Sequence, residues 1–193
     1  MTTIYLARHG ESDWNAENRF QGHTDRPLTE LGRRQAELLA GEVAGLPLAA
    51  VYTSPLRRCT ETAEIVAGPL GVERIVEPAL CEVDVGSWAG LTRAEVEERF
   101  PEGFRSWITG GNGWEDGETY EQMSERVLAA LRAIAGRHRN DQVLVVSHGG
   151  PIRAIHAAAD GVGVQEYRRV RPVEPNARLS AVAVENGRIA RLG

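Results

Sequence analysis

Cysteine is scarce in this chain: two in 193 residues, which excludes a disulfide-built scaffold. No apolar run approaches the roughly 20 residues that a membrane-spanning helix needs. The opening stretch from Met1 to His9 lacks the basic start and apolar centre of a signal peptide, so the cytoplasm is the expected compartment. An excess of positive charge is also missing. The formal net charge is −5, which disfavours avid binding to nucleic acid or to an anionic membrane. The five histidines form no tight cluster with carboxylates, so neither a metal centre nor another cofactor is expected. No repeat, low-complexity tract or long linker interrupts the sequence. What is present is ordinary globular composition, 42% hydrophobic and 25% charged, at a length that supports one core. Residues 1–193 are therefore expected to form a single domain, as a monomer or a homodimer.

Apolar runs and turn chemistry alternate along the chain. Strands are predicted at residues 4–7, 49–53, 74–76 and 143–147. Thr29 is placed as the N-cap of a helix whose inner face would hold Leu31, Leu38, Leu39 and Val43. Ser54-Pro55 reads as N-cap and first residue of a helix over 56–67, and Pro151 as the first residue of another. Thr92-x-x-Glu95 and Thr119-x-x-Gln122 are capping-box patterns, the second opening a long helix over 120–137. Asn186-Gly187 between short apolar segments signals a closing hairpin. Strands alternating with helices predict an α/β fold, a three-layer α/β/α sandwich on a mainly parallel sheet. Ligands of such sheets bind beyond the carboxyl ends of the strands. Arg8-His9, Ser54 to Arg58 and His148-Gly149 all follow predicted strands.

Those strand ends carry two histidines and neighbouring arginines. A guanidinium presents a planar fork suited to carboxylate or phosphate oxygens. Arg58 falls in a first helical turn, where free backbone N–H groups also attract anions. Gly10 and Gly149 beside the histidines would let a ligand approach the backbone. An anion site, with phosphate the leading anion, is the direct reading, and a histidine there either binds the anion or attacks its phosphorus. Against it stands the plainer reading of each residue alone, a structural histidine or a surface arginine. Spacing leaves both open.

Longer motifs add to this. Leu6-Ala7-Arg8-His9-Gly10-Glu11-Ser12 resembles the signature of the histidine phosphatase superfamily, also called phosphoglycerate mutase-like. Trp14-Asn15, Gln21-Gly22 and Asp25-x-Pro27-Leu28-Thr29-x-x-Gly32 follow in family order. Ser54-x-Leu56-x-Arg58-Cys59-x-x-Thr62-Ala63 resembles a second signature, Leu80-x-Glu82-x-x-x-Gly86-x-Trp88 a third, and Ser147-His148-Gly149-Gly150 the last. The resemblance implies a metal-independent phosphatase acting on a small phosphorylated metabolite. His9 would form a phosphohistidine, Arg8, Arg58 and His148 would hold the phosphoryl oxygens, and Glu82 would move the proton. Ser12, Asn15, Gln21, Gly22 and Gly149 are implied as further substrate contacts. A cofactor-dependent phosphoglycerate mutase is the nearest alternative. An inactive phospholigand- or partner-binding module is another, opposed by the retention of Glu82.

Several residues are assigned lesser parts. Asp84 could compete with Glu82, and Arg57 is either a surface charge or a substrate contact. His23 and His138 are expected in solvent and His156 in a structural place. Trp14 and Trp88 are expected to pack near the pocket, and Cys59 and Cys81 to be small buried thiols. Residues 109–114 are expected to form a partial lid, with Phe104, Trp107 and Trp114 selecting the substrate. Ala89, Glu61 and Asp116 depart from the family pattern and put the substrate pocket, not the chemistry, in question.

Overall fold

A computed structural model describes residues 1–192. Strands β1 (Thr2–Arg8), β2 (Leu48–Thr53), β3 (Glu73–Val76) and β4 (Gln142–Ser147) lie parallel to one another. Strands β5 (Leu179–Glu185) and β6 (Arg188–Arg191) are added antiparallel, and the 6-stranded sheet has the order β3-β2-β4-β1-β5-β6. Asn186 and Gly187 close the last hairpin with φ of 50° and 79°, the left-handed pair that an Asn-Gly turn supplies. The helices are α1 (Asp13–Ala16), α2 (Glu30–Val43), α3 (Arg57–Leu70), α4 (Arg93–Arg99), α5 (Pro101–Ile108), α6 (Tyr120–Arg137), α7 (Gly149–Asp160) and α8 (Val164–Val170). None among the described residues is long and apolar enough to cross a membrane.

The sheet is buried on both sides because its strands are apolar on both. Ile4, Leu6, Tyr52, Val143 and Val145 pack with Met123 and Leu131 of α6 and Ile152 of α7. The alternate residues Ala7, Val51, Leu144 and Val146 pack with Leu39 of α2 and Cys59 and Val66 of α3. Burying each large aliphatic side chain contributes roughly 1.5–3 kcal/mol. The predicted sandwich is therefore present.

Details of the helices differ from expectation. The inner face of α2 is Gly32, Ala36, Leu39 and Val43, while Leu31 and Leu38 are exposed. At 100° per residue the two leucines point more than a quarter-turn away from that stripe. Leu56, not Ser54, is the N-cap of α3, so Ser54 and Pro55 precede the helix. The Ser54 hydroxyl instead accepts from the Leu56 N–H, and Asp25 accepts from the Arg57 N–H at 2.5 Å. Helix α7 starts at Gly149 with His148 as its N-cap, so Pro151 sits inside the first turn rather than opening it. Both capping boxes form as predicted.

Between β3 and α6 the chain makes an excursion that carries α4 and α5. Trp88 lies buried beneath it, met edge-on by Phe20, Trp107 and Trp114 at centroid separations of 5.2, 6.2 and 5.5 Å. Residues 109–114 do not form a free lid. Arg168 of α8 donates to the Gly110 and Gly111 carbonyls, and Asn112 accepts from the Tyr120 N–H. Trp114 is buried and donates to the Glu118 carbonyl, which makes it a packing residue.

Sheet register aligns the carboxyl ends of the parallel strands. Arg8 pairs with Ser147, and Thr53 pairs with Val146 and Val76. Residues that follow these strands therefore emerge at one edge.

Candidate active site

At that edge lies a cavity of about 220 Å³, lined by Arg8, His9, Asn15, Gln21, Gly22, Arg58, Glu82, Gly149, Gly150 and Arg153, among others. A larger hollow of about 530 Å³ lies on the far side of the loop 171–178. Its Arg191 is engaged by Asp160 and no histidine lines it, whereas His9, Arg8 and Arg58 line the smaller cavity, which is the candidate.

His9 is buried, and its amide donates to the Ser147 carbonyl at 3.0 Å, extending the ladder one residue past β1. Its ring Nδ1 donates to the Gly10 carbonyl at 2.7 Å. That bond places the proton on Nδ1 and leaves the Nε2 lone pair free. Burial, and then Arg58 and Arg8, push the His9 pKa well below its usual value, so the ring stays neutral. Gly10 serves the fold rather than a ligand: a Cβ there would lie 2.2 Å from the Gly32 carbonyl oxygen.

Arg58 is held on three sides. It donates through Nη1 to the Thr24 carbonyl at 2.8 Å, through Nη2 to the Gly22 carbonyl at 2.9 Å, and through Nε to Nδ1 of His148 at 3.2 Å. Arg8 donates to the Glu174 carbonyl at 2.9 Å, and its buried Nε has no protein partner. An orphaned cationic donor beside a cavity is what an anion would satisfy. His148 departs from expectation. It accepts from Arg58, its Nε2 donates to Ser54 Oγ at 2.8 Å, and its ring does not line the cavity. The ring meets the His9 ring edge-on at 5.1 Å and holds the Arg58 Nε in place.

Glu82 enters from the opposite wall. Its Oε1 accepts from the Val83 and Gly150 N–H groups at 2.9 and 3.1 Å. Gly150 has to be glycine for this approach, since a Cβ would lie 2.3 Å from Oε1. The loop that carries Glu82 is fixed by Arg126, whose guanidinium donates to the carbonyls of Ala79, Cys81 and Glu82 and pairs with Glu118.

Asn15 and Gln21 line the cavity; the Asn15 side-chain oxygen accepts from the Ser12 N–H at 3.1 Å and that of Gln21 from the Ser12 hydroxyl at 2.8 Å, and neither side-chain NH2 donates to protein among the described residues. Ser12 itself is fully buried and does not line the cavity, so it positions those two amides. Gly22 and Gly149 line it through their backbones. Among the described residues no cluster of His, Cys, Asp and Glu has the makings of a metal site.

The sequence profile of the histidine phosphatase superfamily (branch 1) matches residues 4–192. The chain belongs to this superfamily. It is 38% identical over 169 residues to phosphoserine phosphatase 1 of Hydrogenobacter thermophilus, covering 86% of this chain and 80% of that one. It is 37% identical over 176 residues to the probable phosphoglycerate mutase GpmB of Cronobacter sakazakii, covering 89% and 80%. Among solved structures, YhfR of Bacillus stearothermophilus superposes with a TM-score of 0.93 at 33% identity, covering 99% of this chain and 95% of that one.

In this histidine phosphatase the secondary expectations sort clearly. Asp84 accepts from the Gly86 N–H and Arg57 pairs with Glu61, both away from the cavity. His23 is exposed, as expected, and its Nε2 also donates to the Glu82 carbonyl at 2.7 Å. His138 is bonded to the Tyr52 hydroxyl at 2.9 Å. His156 is structural, with Nε2 on Ser180 Oγ at 3.1 Å. Trp107 lines the cavity, whereas Trp14, Trp88, Phe104 and Trp114 do not. Cys59 is buried beside the His148 ring, and burial drives its thiol pKa far up. Ala89, Glu61 and Asp116 lie outside the cavity, and Asp116 pins the Ser87 N–H at 3.0 Å. Sequence reasoning missed Arg126, Arg153 and Asn176, the last of which donates to the His9 carbonyl at 2.8 Å. Arg126 has a visible signal, because it interrupts the inward stripe Met123, Val127, Ala130 of α6. Arg153 falls one helical turn after Gly149. Nothing local marks Asn176.

This chain buries His9, His148 and His156 in neutral form, with a consequence for pH. Burial and neighbouring arginines depress His9 and His148, and burial lowers His156 from 6.5 to about 4. The unfolded chain then binds protons that the folded chain refuses. Stability is complete above pH 6.5 and falls as the pH drops from there toward 4, by up to about 1.4 kcal/mol per pH unit for each such histidine. Urea midpoints are expected to be lower at pH 5 than at pH 7.5, with a shallower difference in His156→Gln. Equal midpoints, or a higher one at pH 5, would contradict it.

Proposed function

We propose that this protein is a small-molecule phosphatase that hydrolyses a phosphate monoester through a phosphohistidine on His9. The observation that carries the reading is the His9 ring itself. It is neutral, its proton is committed to Gly10, and its Nε2 is free beside two buried guanidinium groups. The Nε2 lone pair attacks phosphorus, the ester P–O bond breaks, and Glu82 gives the leaving oxygen its proton. Oε1 of Glu82 takes the two shorter backbone N–H bonds and Oε2 only the longer one from Gly150 at 3.4 Å, so Oε2 is the oxygen that carries that proton. Water then attacks the phosphohistidine, returns a proton to Glu82, and the P–N bond breaks. Arg8 and Arg58 hold the phosphoryl oxygens throughout, as a loose transition state requires. The Asn15 and Gln21 amides add neutral donors, and His148 and Arg126 act as positioning residues for Arg58 and Glu82.

A small cavity suits a small substrate. The name of the Hydrogenobacter relative makes phosphoserine the first substrate to test. Phosphate release would be measured across phosphoserine, 3-phosphoglycerate, sugar phosphates and p-nitrophenyl phosphate. Release from at least one is expected. Transfer of the phosphoryl group between phosphoglycerate positions without release would replace hydrolysis by the mutase reading. No release and no transfer would leave only a binding role.

A further inference from the structure

The cavity holds one more cation than a phosphate needs. All 22 basic side chains of the chain are arginines, and four of them, Arg8, Arg19, Arg58 and Arg153, line the site. Arg8 and Arg58 flank His9. Arg19 is engaged by Glu17, Glu95 and the Gly90 carbonyl. Arg153 is different. It has no carboxylate within ion-pair distance among the described residues, donates to protein only through the Arg171 carbonyl at 3.0 Å, and its buried Nε has no partner.

Its place on α7 gives it a direction. Arg153 follows Gly149 by four residues, so it stands on the same face about one helical turn, roughly 6 Å, farther along the axis. Gly149 abuts Arg8: a Cβ there would lie 3.9 Å from the Arg8 Nε. Arg8 and Arg153 line one cavity of about 220 Å³, so a small substrate held at the phosphate end meets Arg153 with its other end. The cavity walls include Phe20, Val83, Val85, Trp107 and Val173, which carry no side-chain acceptor, and the one carboxylate there, Glu82, already accepts from the Val83 and Gly150 N–H groups. Tyr120 also lines the cavity, and its hydroxyl accepts from Trp107 Nε1 at 3.3 Å, leaving its O–H to donate.

We propose that Arg153, assisted by the Tyr120 hydroxyl, binds a carboxylate at the far end of the substrate, so that the enzyme selects short phosphomonoesters of carboxylic acids. The inference rests on the phosphatase reading above. A half-buried guanidinium with no ion-pair partner is completed by such a group, whereas a phosphoalcohol leaves it unpaired.

O-Phosphoserine and O-phosphoethanolamine differ only in the carboxylate and separate these cases. The ratio of their kcat/KM values is expected to be at least about tenfold in the wild type, carried mainly by KM. In Arg153→Met it is expected to fall below about twofold, and Arg153→Lys should recover part of it. A wild-type ratio near one overturns the assignment, and so does a ratio that stays high in Arg153→Met while both substrates slow together. The wild-type ratio needs no variant to fold. Hydrolysis of p-nitrophenyl phosphate by the wild type tests the phosphatase reading separately: if it proceeds while the ratio is near one, only the Arg153 assignment fails. If no ester is hydrolysed, both fail.

Discussion

His9→Ala is expected to lower phosphate release by about 10⁴-fold or more while leaving the fold intact. The ring contributes little to the core that neighbouring apolar residues do not already supply, and its one side-chain bond is to the adjacent Gly10 carbonyl. Chemically, however, nothing else in the cavity can take its place. Cys59 is buried behind Arg58 with its thiol proton held tightly, and His148 has both ring nitrogens engaged. In the variant only water remains as nucleophile, still inside the arginine cradle, which accounts for a small residual rate. A labelled substrate should deposit phosphoryl label on the wild type, stable when the reaction is quenched in alkali, and none on His9→Ala. Retention of more than about one part in a hundred of the activity, with an unchanged melting transition, would assign the nucleophile elsewhere.

Glu82→Gln carries the second large effect, and its signature depends on the leaving group. The substitution keeps Oε1 as an acceptor for the Val83 and Gly150 N–H groups, so the loop held by Arg126 has no reason to move. It removes the transferable proton. For an alkyl ester such as phosphoserine, kcat is expected to fall by about 10²- to 10⁴-fold, because the alkoxide must leave unprotonated. p-Nitrophenolate leaves without help. With that ester the first step should survive, and the second, which needs a base to activate water, should stall. The expected record is a burst of about one p-nitrophenolate per site followed by slow turnover, with phosphohistidine accumulating. An equal loss on both esters without a burst would give the proton to another group.

The sandwich and the edge at which chemistry collects were legible in the sequence. Buried strands announce themselves as continuous apolar runs, such as 143–147, because both faces of a parallel sheet must be apolar. Capping boxes at Thr92 and Thr119 were legible for a similar reason: four consecutive residues contain the whole interaction. Helix faces were less so. Leu31 and Leu38 are as apolar as Leu39, and only the packing of α2 on the sheet selects which leucine is buried.

By itself the sequence determined the fold class and a set of chemically competent residues, His9, Arg8, Arg58 and Glu82, each beside a strand end or in an ordered motif. Tertiary structure decided what each can do. The structure gives His148 and Ser12 protein partners of their own, Arg58 for the first and Asn15 and Gln21 for the second. Arg153 has the composition of a surface charge, yet it lines the cavity with its Nε buried and without a partner. The reason is physical: which residue types can donate, accept or attack is a local property of the chain. Whether a donor is already satisfied depends on groups up to 167 residues away, as with Asn176 and His9, and these meet only when the sheet closes.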